Sequence, residues 1–127
     1  MKINSDNKEM IDNIDIHDNI FVGCNYSYKN RILFLIVNNF RNDYNIIFNN
    51  CIFYSMQSCD FWHGGNNILG INIVEESKEM NELLEIQNTY PGLYEGSFLD
   101  RGITYLSVEI EVNSGDKMLI ICESIEI

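Results

Sequence analysis

The chain has 127 residues, 46% of them apolar, which suits one domain, residues 1–127, with a core of its own and no second unit. Nineteen acidic against eight basic side chains give a formal net charge of −11. A field of that sign repels phosphate backbones and anionic membranes, so neither nucleic acid nor a membrane surface is an expected partner, while a basic protein is.

Ala is absent, whereas Asn and Ile abound and Phe and Tyr each occur seven times. Ala is the best helix former, and Ile, Phe and Tyr suit pleated, half-buried surfaces, so composition leans towards sheet. The Asn and Ile excess also fits AT-rich coding in a low-GC bacterium. The polar, acidic opening MKINSDNKEMIDNIDIHD has no apolar run, and the run 32–37 is too short to cross a bilayer. A cytoplasmic protein without leader or anchor is therefore expected. Cys24, Cys51, Cys59 and Cys122 form no CxxC pair and read as reduced, buried thiols.

In chain order, residues 1–15 read as a loosely held, flexible arm with one helical turn around Met10 and Ile11. Residues 16–28 alternate, with Ile16, Ile20, Val22, Cys24, Tyr26 and Tyr28 on one face, the period of a half-buried strand. Lys29-Asn30 is a hairpin break, and RILFLIV (31–37), apolar on both faces, reads as a central strand. A loop rich in Asn follows at 38–43. Residues 44–54 resume the strand pattern; Asn49-Asn50 either continues it or marks a bulge that turns Cys51 and Phe53 inward.

The stretch 44–74 reads as two apolar strands flanking the corner Phe61-Trp62-His63-Gly64-Gly65, where the glycines permit φ > 0 and a reversal. Leu69, Ile71 and Ile73 share a face of the second strand, and Gly70 suggests close approach of another backbone. ESKEMNELLEIQN then changes period. Met80, Leu83, Leu84 and Gln87 form one helical stripe near residues 77–88, Ser77 is its N-cap, Glu79 sits in its first turn, and Pro91 stops it. Residues 103–112 alternate, Asn113-Ser114-Gly115-Asp116 turns, and 118–127 return as a C-terminal hairpin. The expected class is mainly β (α+β), an antiparallel sheet or sandwich of about six to seven strands with one helix.

No catalytic constellation emerges, and no enzyme activity is expected. His17-Asp18 resembles a metal-phosphohydrolase pair, but only one other His exists; the plainer reading is a tie between a strand start and a neighbouring loop. Cys59-x3-His63 has the spacing of half a zinc site without a second half, so no metal or cofactor is expected. A nucleophilic pair of Cys59 or Cys51 with His63 lacks an orienting third group. P-loop, dinucleotide and G-x-S-x-G signatures are absent. Phe61 and Trp62 read either as a plug at one end of the core or as a binding anchor.

His17-Asp18-Asn19-Ile20-Phe21, Ile47-Phe48-x-x-Cys51-x-x-Tyr54, Phe61-Trp62 with Asn66-x-Ile68, and the closing Val112-Asn113-Ser114-Gly115-Asp116 together resemble the immunity protein 50 family of bacterial polymorphic toxin systems. The likeness spans residues 16–126, with Ile16 and Asn19 standing where the family's commonest form has Phe and Ala. It implies a toxin-neutralising immunity protein whose partner is a cognate protein toxin, basic if it is a nuclease. The family's contact residues are not carried by its motifs. His17, Asp18, Trp62 and His63 are the binding candidates by residue type alone. An interaction or regulatory module of another partner is the alternative, and a sheet edge offers a route to a homo-oligomer.

Overall fold

The computed structural model describes residues 1–57, 65–89 and 102–127. The chain is mainly β, as expected, and its described residues form two antiparallel sheets and a single α-helix. The strands are β1 Lys2–Ile3, β2 Ile20–Ser27, β3 Ile32–Asn38, β4 Asp43–Asn49, β5 Phe53–Gln57, β6 Ile68–Ile73, β7 Leu106–Val112, β8 Lys117–Cys122 and β9 Ser124–Glu126. Helix α1, Lys78–Thr89, lies between β6 and β7. One sheet has the order β1-β9-β4-β3-β2 and the other β5-β8-β7-β6.

RILFLIV behaves as its composition demands. β3 is flanked by β2 and β4, with Leu33, Leu35 and Val37 fully buried and Ile32, Phe34 and Ile36 half-buried on the opposite face. Opposite them on β4, Ile46 and Phe48 are also fully buried. Each such side chain removed from water contributes about 1.5–3 kcal/mol, so this strand pair is a principal source of stability. Inner-face residues of the second sheet, among them Ile71, Val108, Ile110 and Ile120, join the same buried cluster, so two sheets share one core.

Several expectations are corrected. Residues 1–15 are docked: Ile3 is fully buried in β1 against β9, and Ile11 is buried in a 3₁₀ turn, Lys8–Asn13. The strands flanking the aromatic corner are not partners. β5 and β6 lie at opposite edges of their sheet, because the nonlocal hairpin β7–β8 fills the space between them. Residues 44–54 are not one strand either. The chain leaves the first sheet at Asn50, whose φ is +46°, and enters the second as β5, which buries Cys51 completely. The return strand breaks likewise at Glu123, where β8 in one sheet passes into β9 in the other. These two crossings raise the strand number above that expected.

Alternation also fails at two bulges. The register of β2 slips between Phe21 and Gly23, so Val22 is 51% exposed while Phe21 packs on the core. β6 slips between Ile68 and Gly70, which turns Leu69 outward and places Ile68 in the core instead. Gly70 therefore serves a bulge rather than a close backbone approach; a Cβ there would meet nothing nearer than 3.9 Å. Tyr28 lies beyond the end of β2 and is exposed.

The two bulged strand starts meet. The Ile68 N–H donates to the Asn19 carbonyl at 2.8 Å, and the Phe21 N–H to the Asn66 carbonyl at 2.8 Å, joining the sheets along one side. At the other side Tyr26 and Tyr54 bring their ring centroids to 5.1 Å, and the Tyr26 hydroxyl donates to the Cys51 carbonyl at 2.8 Å. Both seams use strand edges that water would otherwise reach.

Candidate functional site

His17 and Asp18 lie just before β2, with His17 Nδ1 3.1 Å from Asp18 Oδ2 and both side chains about two-thirds exposed at 65% and 67%. The tie to the neighbouring loop is made by backbone and by Asn67 instead. The Asp18 N–H donates to the Ile68 carbonyl at 2.9 Å, and Asn67 Nδ2 donates to the Asp18 carbonyl at 3.2 Å. Asp18 has φ +68°, a conformation Asp adopts more readily than most residues, so this corner is a backbone device that leaves a polar pair on the surface. Trp62 and His63, with Cys59, Phe61 and Gly64, lie outside the described residues. Gly65, the last residue of that stretch, has φ +91°, in the left-handed region that favours glycine.

None of the described thiols is activated towards attack. Burial pushes the Cys51 thiol from 9.0 up to about 11, outweighing a smaller opposing effect of the Phe53 backbone. Burial also raises the Cys122 thiol, whereas Cys24, expected among the buried thiols, is exposed on β2 and raised only by its partial burial. A nucleophilic cysteine needs the opposite shift. Among the described residues no group of three His, Cys, Asp or Glu side chains is placed to hold a metal ion. Nor is any described helix long and apolar enough to cross a membrane.

An acidic cluster lies where α1 begins beside the outer face of β7. Ser77 caps the helix as expected: its Oγ accepts the Met80 N–H at 3.2 Å. That oxygen also meets Ser107 Oγ at 2.7 Å, and both serines are buried. This bond pins the helix start to β7, whose next outward residues are Glu109 and Glu111. Met80, Leu83, Leu84 and Gln87 are half-buried, the stripe expected of the helix, while its acidic residues include Glu79, Glu82 and Glu85.

The outcome is a small cleft of about 170 Å³ lined by Glu76, Ser77, Lys78, Glu79, Glu109 and Lys117 with neighbouring residues. Lys117 Nζ stands 4.0 Å from Glu109 and 3.9 Å from Glu111, too far for strong pairing with either. The Glu109 carboxyl is held above its ordinary range, first by burial and then by a hydrogen bond to Glu111. Lys117 opposes this, and the charges of Glu111 and Glu79 add to it. Among the described residues Glu76, Glu79, Glu109 and Glu111 stand against Lys78 and Lys117, so an incoming cation relieves repulsion as well as gaining attraction. Helical and strand spacing put Glu79 in the first turn of α1 and Glu109 and Glu111 on one face of β7, but nothing local joins them. The run of acids at positions 75, 76, 79, 82 and 85 was the available signal.

No protein-family model matches the chain, and no curated protein or solved structure matches it.

Proposed function

We propose that this chain is a non-catalytic binding protein that holds a basic protein partner against its acidic α1–β7 face. The role is that of a toxin-neutralising immunity protein, as its sequence likeness implies, acting in the cytoplasm of the producing cell. The observation that carries the reading is the crowding of Glu76, Glu79, Glu109 and Glu111 beside Lys78 and a weakly engaged Lys117, with Glu109 held above its usual range. Such a face accelerates encounter with a cationic surface and, against a nuclease, stands in for nucleic-acid phosphates. The raised thiols of Cys51 and Cys122 speak against a thiolate nucleophile at either position.

The experiment is capture of partners from the source organism's lysate on tagged protein across a salt series, alongside the triple variant E79Q/E109Q/E111Q. Recovery of a basic polypeptide whose retention falls steeply with salt, and is lost in the variant, is expected. Capture that ignores both salt and the variant, or no capture of any basic polypeptide, overturns the reading.

A further inference from the structure

Asp15 and Arg41 line one cleft of about 490 Å³, with Ile14, Asn19, Tyr44 and Ile127 among its other walls. That volume lies within the range of about 300–1,000 Å³ common to ligand sites. It shares no lining residue with the acidic cleft beside α1. Asp15 and Arg41 are both exposed, and among the described residues neither the carboxylate nor the guanidinium has a hydrogen-bond or ion-pair partner. Two opposite charges therefore stand in one cleft without closing on each other.

Both are carried on fixed backbone. Asp15 is the middle residue of a tight turn in which the Ile16 N–H donates to the Ile14 carbonyl at 3.1 Å. Ile16 is buried and Ile14 packs on the core, so the turn is anchored on either side. Arg41 follows Asn39, whose Oδ1 accepts the backbone N–H groups of Arg41 and Asn42, each at 3.1 Å. The acid nearest Arg41 in sequence, Asp43, is engaged by Asn38 Nδ2 at 2.7 Å instead. The Tyr44 hydroxyl accepts Asn19 Nδ2 at 2.7 Å, which leaves its own proton to donate. The Met1 ammonium, also at the wall, is taken up by the Ile127 carbonyl at 3.1 Å.

We propose that this cleft binds a free α-amino acid with an apolar side chain, held as its zwitterion. Arg41 forks onto the carboxylate, Tyr44 donates a further bond to it, and Asp15 accepts the ammonium. Ile14 and Ile127 receive the apolar side chain. A plain carboxylate would face Asp15 and a plain amine would face Arg41, so the two charges together select a ligand that carries both signs. The site stands apart from the acidic face and from any basic partner held there.

The test is amide NMR of the full chain titrated with L-leucine. Its controls are 4-methylpentanoate, which lacks the ammonium, isoamylamine, which lacks the carboxylate, and glycine, which lacks the side chain. Saturable shifts at Asp15, Arg41 and Tyr44 are expected with millimolar leucine, and weaker binding with each control. Arg41→Gln and Asp15→Asn each remove one charge that the fold leaves unpaired, so both variants should unfold at the parent's midpoint while leucine binds about tenfold more weakly. Absent saturable shifts, shifts centred on Glu79 and Glu109 instead, any control binding as tightly as leucine, or unchanged leucine binding by R41Q or D15N overturns the proposal. Partner capture does not enter this test, so the amino-acid site and the immunity reading fail separately.

Discussion

Asn50 and Glu123 meet where the chain makes its two crossings between the sheets: Asn50 Nδ2 lies 3.2 Å from Glu123 Oε2 and 3.2 Å from the Tyr105 hydroxyl. The backbone repeats the bond, since the Glu123 N–H donates to the Asn49 carbonyl at 3.0 Å and the Ile52 N–H to the Ile121 carbonyl at 2.9 Å. The two crossings thus form one joint. Asn50 suits it twice over, tolerating φ +46° and supplying the donor.

Replacing that residue separates the two contributions. Asn50→Ala loses both side-chain bonds and strains the backbone, and should cost about 2–3 kcal/mol. Asn50→Gly loses the bonds but accepts the φ, and should cost about 1 kcal/mol less. Urea denaturation of the two variants decides the matter. Equal midpoints would mean that the positive φ carries no cost here.

That joint also marks the limit of what the residues disclose locally. The β7–β8 turn, the central strand β3 and the Ser77 cap are written in adjacent residues: a Gly in a polar quartet, an apolar run, a Ser three residues before Met80. Asn49-Asn50 carries two readings, and Glu123 lies in an apolar run with nothing to distinguish it from a strand position. Only their meeting, 73 positions apart, decides that each is a crossing. The bulges at Val22 and Leu69 escape for the same reason, since each is set by bonds between the starts of β2 and β6. The acidic face joins Glu79 of the helix to Glu109 of β7, and depends on the Ser77–Ser107 contact that no spacing encodes.

That serine contact is testable by a cycle. Ser77→Ala removes a helix cap and leaves the buried Ser107 hydroxyl without its partner, for an expected loss of about 2 kcal/mol. Ser107→Ala leaves the cap in place and should cost about 1 kcal/mol. In the double variant the loss should be smaller than the sum, because the second substitution removes an already orphaned hydroxyl. Strict additivity in thermal or chemical unfolding would show that the hydroxyls do not support one another.

The thiols give a prediction with a definite order. In a Cys59→Ser background, a disulfide reagent at pH 8 should react with Cys24 in the native protein and with Cys51 and Cys122 only after unfolding. The folded-state thiol of Cys51 lies near 11 against an ordinary value of 9.0, so the folded state holds its proton longer than the unfolded chain. Its contribution to stability is complete below pH 9.0 and fades as pH rises through about 11. Cys51→Ser should therefore be less stable near neutrality but show a shallower alkaline decline. A decline as steep as that of the parent protein would remove Cys51 as its cause.

Glu109 connects stability to function, with opposite signs. Its folded-state carboxyl lies above the ordinary 4.5, chiefly through burial and then through Glu111. Its contribution is therefore fully present below pH 4.5 and lost as pH rises through the folded value. At neutral pH the ionised group is a liability, so Glu109→Gln should stabilise the fold, by less than about 1 kcal/mol given its partial exposure. The gain should vanish on acidification, when the native carboxyl is protonated and resembles the amide. For binding, the same substitution removes a charge from the face proposed to meet a cationic partner, and retention of a lysine-rich decapeptide on immobilised protein should weaken. Lys117→Gln should act in reverse, lowering stability at neutral pH while strengthening retention, because it removes the cation that tempers Glu109 and Glu111. A chain tuned only to fold would gain from the first change and lose from the second, with peptide retention indifferent to both. Opposite movements of stability and retention in the two variants are what a face held ready for a basic partner requires.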